Sequence, residues 1–159
     1  MKLFNMYKCI ALCLTVALWA FFGVSSALAS EQGSASEAEA LARRAVAFIK
    51  ANGAENAAIE FTKGTMFKDR DLYIAFTDME GNVKGHGGNP KLVGKNLIGI
   101  KDPDGKLFFQ MLLDLAKNKG RGWSDTYKFL NPVTQKIETK VMYVERVGDH
   151  WVGVGIYKN

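Results

Sequence analysis

Asp71-Leu72-Tyr73-Ile74-Ala75-Phe76-Thr77-Asp78-Met79-Glu80-Gly81-Asn82-Val83-Lys84-Gly85-His86-Gly87-Gly88 is the stretch on which the fold turns. Leu72 to Thr77 is dense in aromatic and β-branched residues, which suit a pleated, half-buried surface. Asp78 to Asn82 is a cluster of turn formers, and Val83 to His86 returns as a second strand. The glycines after His86, closed by Asn89-Pro90, break that strand into a loop that continues through Gly94-Lys95-Asn96-Leu97.

Upstream of this hairpin the texture is helical. Ser36-x-x-Glu39 reads as a capping box, in which a hydroxyl and an acid satisfy orphan amides reciprocally. Ala38, Leu41, Ala42, Ala45, Phe48 and Ile49 then recur at three- and four-residue steps, the period of an amphipathic helix. Asn52-Gly53 predicts its end, and a shorter helical piece over Glu55–Phe61 stops before Gly64. Downstream, Asp102-Pro103-Asp104-Gly105 opens a second helix with Leu107, Phe108, Met111, Leu112 and Leu115 on its apolar face, and Gly120 lies beyond its end. Three strands complete the chain: Gly122–Leu130, with Trp123, Asp125, Tyr127 and Phe129 on one face; Ile137–Val147; and, after a Gly148-Asp149 turn, Trp151–Tyr157. Helices, a hairpin, a helix and a three-strand meander predict an α+β domain with a mostly antiparallel sheet.

The N-terminus bears on compartment. Lys2 and Lys8 precede an apolar run from Cys9 to Val24, and Ala27-Leu28-Ala29 supplies the small-x-small pattern of a signal-peptidase site. The run is shorter than the ~20 residues that a membrane span needs. We therefore expect a cleavable signal peptide over Met1–Ala29, with an uncleaved anchor as the alternative. A flexible leader over Ser30–Ala35 and one domain over Ser36–Asn159 would make up the rest. Cys9 and Cys13 would leave with the signal, so no disulfide, thiol nucleophile, thiolate metal site or covalent haem is expected in the mature protein. Lys2 and Lys8 also supply two of the formal +5 charges. The remainder are spread along the chain without a Lys/Arg stripe, which speaks against nucleic-acid binding.

These residues, in this order, resemble the single Cache domain family. The hairpin Asp71–Val83 resembles the family's first, followed by Gly85-His86, Pro90-x-Leu92-Val93-Gly94-Lys95-Asn96-Leu97 and Lys101-Asp102-Pro103-Asp104-Gly105-Lys106. Gly120-x-Gly122-Trp123 with Tyr127, Val141–Arg146 and Trp151–Tyr157 resemble its last three strands. The resemblance spans Glu37–Lys158. It implies a long N-terminal helix packed on one face of a five-stranded, PAS-like antiparallel sheet, with a small-molecule pocket on the other. It further implies a periplasmic, sensor-type binding module, with a small carboxylate such as acetate, propionate, lactate or pyruvate as ligand. The chain stops soon after the last strand, so a stand-alone form is expected. Its partners would be a membrane receptor or a second copy paired through the N-terminal helix. The alternative is an interaction or accessory protein whose pocket is vestigial.

A desolvated anion needs convergent donors within an apolar wall. His86, at the break between strand and glycine-rich loop, is the leading candidate, and the family often has a histidine there. Tyr73, Trp123, Tyr127 and Tyr143 offer aromatic bodies with polar tips. Lys140, Lys106 and Arg121 could each supply the positive charge, with surface exposure the default for each lysine. Lys140 faces away from Tyr143 by strand alternation, and Tyr143 is preferred of the two. Asp102-x-Asp104-Gly105 lacks the later ligands of a calcium loop and reads as a turn with a helix cap. Gly85-x-Gly87-Gly88 opens no helix and so is no phosphate loop. His86 and His150 are the only histidines, without an acidic cluster beside them. No metal, cofactor, nucleophile elbow or catalytic residue is therefore expected, and the protein is not read as an enzyme.

Overall fold

The computed structural model describes residues 32–158, so the signal peptide read over Met1–Ala29 and the first leader residues lie outside the described residues. Helix α1 runs Ala35–Lys63, with Ser34 as its N-cap. Two overlapping Ser-x-x-Glu patterns compete here, and the structure selects Ser34/Glu37 over the predicted Ser36/Glu39. Ser34 Oγ accepts from the Glu37 amide at 3.3 Å, and the Glu37 carboxylate accepts from the Ser34 amide at 2.7 Å. Tertiary contacts decide the choice. Glu37 also takes Arg70 at 2.7 Å, and Asp71 Oδ1 accepts from the Gly33 amide at 2.7 Å, which pins the helix entry to the start of the sheet. Glu39 is thereby free to accept from Trp123 Nε1 at 2.9 Å. Gly53 interrupts the helix with φ 81° and ψ 161°, where the sequence predicts a terminus, and a second helical segment continues to Lys63.

The strands are β1 (Lys68–Asp69), β2 (Leu72–Asp78), β3 (Val83–His86), β4 (Arg121–Trp123), β5 (Tyr127–Leu130), β6 (Ile137–Val147) and β7 (His150–Lys158). A 3-10 turn, Pro90–Leu92, and helix α2, Phe108–Asn118, fall between β3 and β4. All pairings are antiparallel. β7 lies between β2 and β6, β1 and β3 pair with β2, and β4 and β5 pair with β6. This is the expected five-strand plan, with the short β1 added and the third strand split in two.

The split has a consequence for facing. Trp123 pairs with Tyr143, but Tyr127 pairs with Lys140, so one strand spends one residue more than its partner between the two pairs. That is a bulge, and one extra residue reverses which side the following side chains face. Ser124 bridges the gap: its amide donates to the Met142 carbonyl at 2.9 Å, and its Oγ accepts from the Met142 amide at 3.0 Å.

Alternation along each strand divides the core. Leu72, Ile74 and Phe76, with Tyr143, Val147, Val152 and Val154, pack against the apolar stripe of α1. Phe61 anchors this layer, edge-on to Phe67 at 4.8 Å and to Phe76 at 5.7 Å. The opposite face carries Ala75, Tyr127, Met142, Val144 and Trp151 beneath Phe108, Phe109, Leu112 and Leu113 of α2. No helix among the described residues is long and apolar enough to cross a membrane.

Candidate ligand-binding site

The α2-side face of β7 alternates Trp151, Gly153, Gly155 and Tyr157. The two glycines leave a trough in the sheet. A Cβ on Gly153 would run into the Met142 sulfur, and one on Gly155 into Cε of Lys140. The Lys140 stem thus lies across Gly155, and the whole side chain is buried at 0% exposure. Its Nζ donates to Tyr73 Oη at 2.7 Å and Tyr157 Oη at 3.0 Å. The ammonium also sits 4.4 Å from the centroids of both tyrosine rings and 5.2 Å from that of Phe129. Among the described residues no carboxylate oxygen lies within 4.0 Å of it. Burial pushes the Tyr127 and Tyr157 phenols well above their ordinary range, so both stay neutral and neither balances the charge.

His86 closes one side of this cluster, its ring 5.0 Å from that of Tyr73. Nδ1 accepts from the Asn89 amide at 2.8 Å, which places the ring proton on Nε2. Burial first, and the Lys140 charge second, hold the imidazole near pKa 3, far below its ordinary 6.5. The histidine is therefore neutral, and its Nε2–H is a donor with no acceptor among the described residues. The loop beyond it needs its glycines, since a Cβ on Gly88 would meet the Tyr73 ring at 2.7 Å.

Two spaces adjoin here. The inner chamber is walled by Tyr73, Ala75, Thr77, His86, Tyr127 and Trp151, together with Phe108, Phe109 and Leu112 of α2. It offers about 20 Å³ to water centres, room for roughly one water. The outer space, about 280 Å³ on the same measure, is lined by Gly88, Asn89, Lys91, Pro132 and Gln135. Tyr73, His86 and Phe129 belong to both, so these three side chains form the partition. Within the chamber Thr77 Oγ1 and Trp151 Nε1 are buried without hydrogen-bond partners.

Of the sequence candidates, the structure brings Tyr73, His86 and Tyr127 to this chamber. Trp123 and Tyr143 lie on the other face. They contact each other at 5.6 Å between centroids and pack on the α1 layer. Strand alternation does separate Tyr143 from Lys140, and α1 covers the face that Tyr143 occupies. Trp123 is separated from Tyr127 by the bulge. Thr77 and Trp151 also line the chamber, and Lys140 and Tyr157 lie on the same face of the sheet, behind Tyr73 and Phe129 and lining neither space; the Gly153/Gly155 alternation is the sequence signal that points to this face. Lys106 instead donates to the Thr126 carbonyl. Asp102 accepts from the amides of Asp104, Lys106 and Lys128, so it ties a turn to β5; it does not cap α2, which starts at Phe108. Among the described residues no group of three or more metal-ligating side chains comes together.

A family model described as Single Cache domain 2 matches residues 22–159. Among solved structures, the chain is similar to a methyl-accepting chemotaxis protein from Vibrio parahaemolyticus, at 26% identity and a TM-score of 0.65, over 77% of this chain and 86% of that one. It shares its fold with the periplasmic sensor domain of a chemotaxis protein, at 20% identity and a TM-score of 0.62 over 100% of each chain. A Cache chemosensory domain, solved as the structural basis for carboxylic acid recognition, is similar at 21% identity and a TM-score of 0.61, again over 100% of each chain.

Proposed function

The chain belongs to the single Cache domain family, and from that premise we propose that it binds a small carboxylate at the partition between the two spaces. The observation that carries this reading is Lys140: a buried ammonium hydrogen-bonded to the phenols of Tyr73 and Tyr157, with no carboxylate oxygen within 4.0 Å among the described residues. Burying a lone charge is costly, and an anion bound beside it relieves that cost. The neutral His86 Nε2–H supplies a second donor, and the apolar wall of Phe108, Phe109 and Leu112 suits a short carbon chain. Tyr73 and Tyr127 flank the ligand, whereas Tyr143 and Trp123 serve α1 packing. The neighbour solved for carboxylic acid recognition supports the same ligand class. Nothing in the arrangement supplies an activated nucleophile, so the role proposed is recognition without chemistry. Export by the Met1–Ala29 signal, a periplasmic location and a membrane-receptor partner accompany this reading as proposals.

Titration calorimetry with acetate, propionate, lactate and pyruvate tests it. We expect saturable binding by at least one acid, with the Tyr143→Phe variant unchanged. A second reading, an accessory protein with a vestigial pocket, is favoured by the smallness of the inner chamber. It prevails if no acid of this class binds.

A further inference from the structure

We infer that Thr77 and Trp151 form a second, polar contact point for the ligand and select short acids that carry a hydroxyl or oxo oxygen. This rests on the carboxylate reading above. Both side chains are essentially fully buried, at 1% and 0% exposure, and both line the inner chamber. They are direct cross-strand partners on β2 and β7, so they present themselves side by side. Neither Thr77 Oγ1 nor Trp151 Nε1 has a hydrogen-bond partner. The indole is a donor only, and the hydroxyl both donates and accepts. One oxygen placed between them accepts from the indole N–H and exchanges a bond with the hydroxyl, which satisfies both. A methyl group in the same place leaves both unpaired.

Size and spacing agree. The chamber's free space admits about one water-sized group, which is one hydroxyl or oxo oxygen. His86 pairs with Ala75 across β2/β3, and Thr77 lies two residues further along β2, a step of about 6.6 Å. The partition thus reads the carboxylate, and the Thr77–Trp151 end reads what the next carbon carries.

The test compares propionate with lactate and pyruvate, which share a three-carbon skeleton, in calorimetric titrations of the wild type, Thr77→Val and Trp151→Phe. The wild type is expected to bind lactate or pyruvate about tenfold or more tightly than propionate, the worth of a satisfied buried donor. Thr77→Val, a change of similar shape, should cut that ratio severalfold. Trp151→Phe should do the same, and Thr77→Val stands as the test if the tryptophan variant does not fold. Equal affinity for propionate, or a ratio unchanged in Thr77→Val, overturns this inference and leaves the carboxylate reading intact. Absence of binding by all three acids overturns this inference, and absence of binding by acetate as well overturns both.

Discussion

Replacing Lys140 by methionine separates a structural role from a receptor role. Methionine keeps an unbranched stem that fits over Gly155 and discards the charge. The variant loses two hydrogen bonds from a charged donor, at about 1.5–3 kcal/mol each, and ring contacts worth about 2 kcal/mol. It also loses the penalty of holding an ion out of water, several kcal/mol, which works in the opposite direction. Neither phenol is stranded. Tyr157 Oη still donates to the Leu130 carbonyl at 2.9 Å, and the two hydroxyls lie 3.3 Å apart. Stability without ligand should therefore change by no more than about 2 kcal/mol, in either direction. Binding should respond far more. An anion about 5 Å from the ammonium, at an effective dielectric of about 20, gains about 3 kcal/mol, or roughly a hundredfold in affinity. Urea unfolding without ligand and calorimetric titration with the tightest-binding acid measure the two effects separately. An acid affinity unchanged within about threefold, together with a loss of more than about 4 kcal/mol in stability, would refute the reasoning and make Lys140 a structural post.

Acid sensitivity follows from His86. Its folded pKa, about 3, lies below the ordinary 6.5, so the unfolded chain takes up a proton that the folded one refuses. Stability is full above pH 6.5 and falls as pH drops toward 3, by up to about 1.4 kcal/mol per unit. Denaturant titrations between pH 6.5 and 4.5 should show this slope, and His86→Asn should flatten it. Glu37 and Asp78, both held near 2 by hydrogen bonds, contribute only below their ordinary carboxylate values. At Gly155, alanine would drive a methyl into the Lys140 stem. Gly155→Ala should cost about 1–3 kcal/mol by thermal melting and weaken acid binding at the same time, and loss of neither would show that the trough is dispensable.

Much of the architecture is legible along the chain because it depends on local periodicity. The stripe from Ala38 to Ile49, the hairpin around Gly81 and the strands Val83–His86 and Ile137–Val147 are written in three- to four-residue and two-residue repeats. Gly53 marks a break in sequence and in structure alike, though the chain only kinks there and resumes as helix. The choice between Ser34 and Ser36 as cap is hidden, since both patterns are equally good locally and Arg70, Asp71 and Trp123 decide between them from far along the chain.

The site divides in the same way. Alternation places Lys140 and Tyr143 on opposite faces, and the fold agrees. Which face holds the chamber depends on where α1 and α2 dock, and alternation along a strand carries no information about that. A single extra residue between Trp123 and Tyr127 reverses the facing of the strand's second half, and register of this kind is set by pairing with β6. The burial of Lys140 is the clearest case. A lysine flanked by Thr139 and Val141 looks solvated in sequence, until Gly155 on the neighbouring strand leaves space for its stem and Tyr73 and Tyr157 arrive to receive its protons. Local pattern fixes which residues share a face; only the packing of distant segments decides which face becomes a binding site.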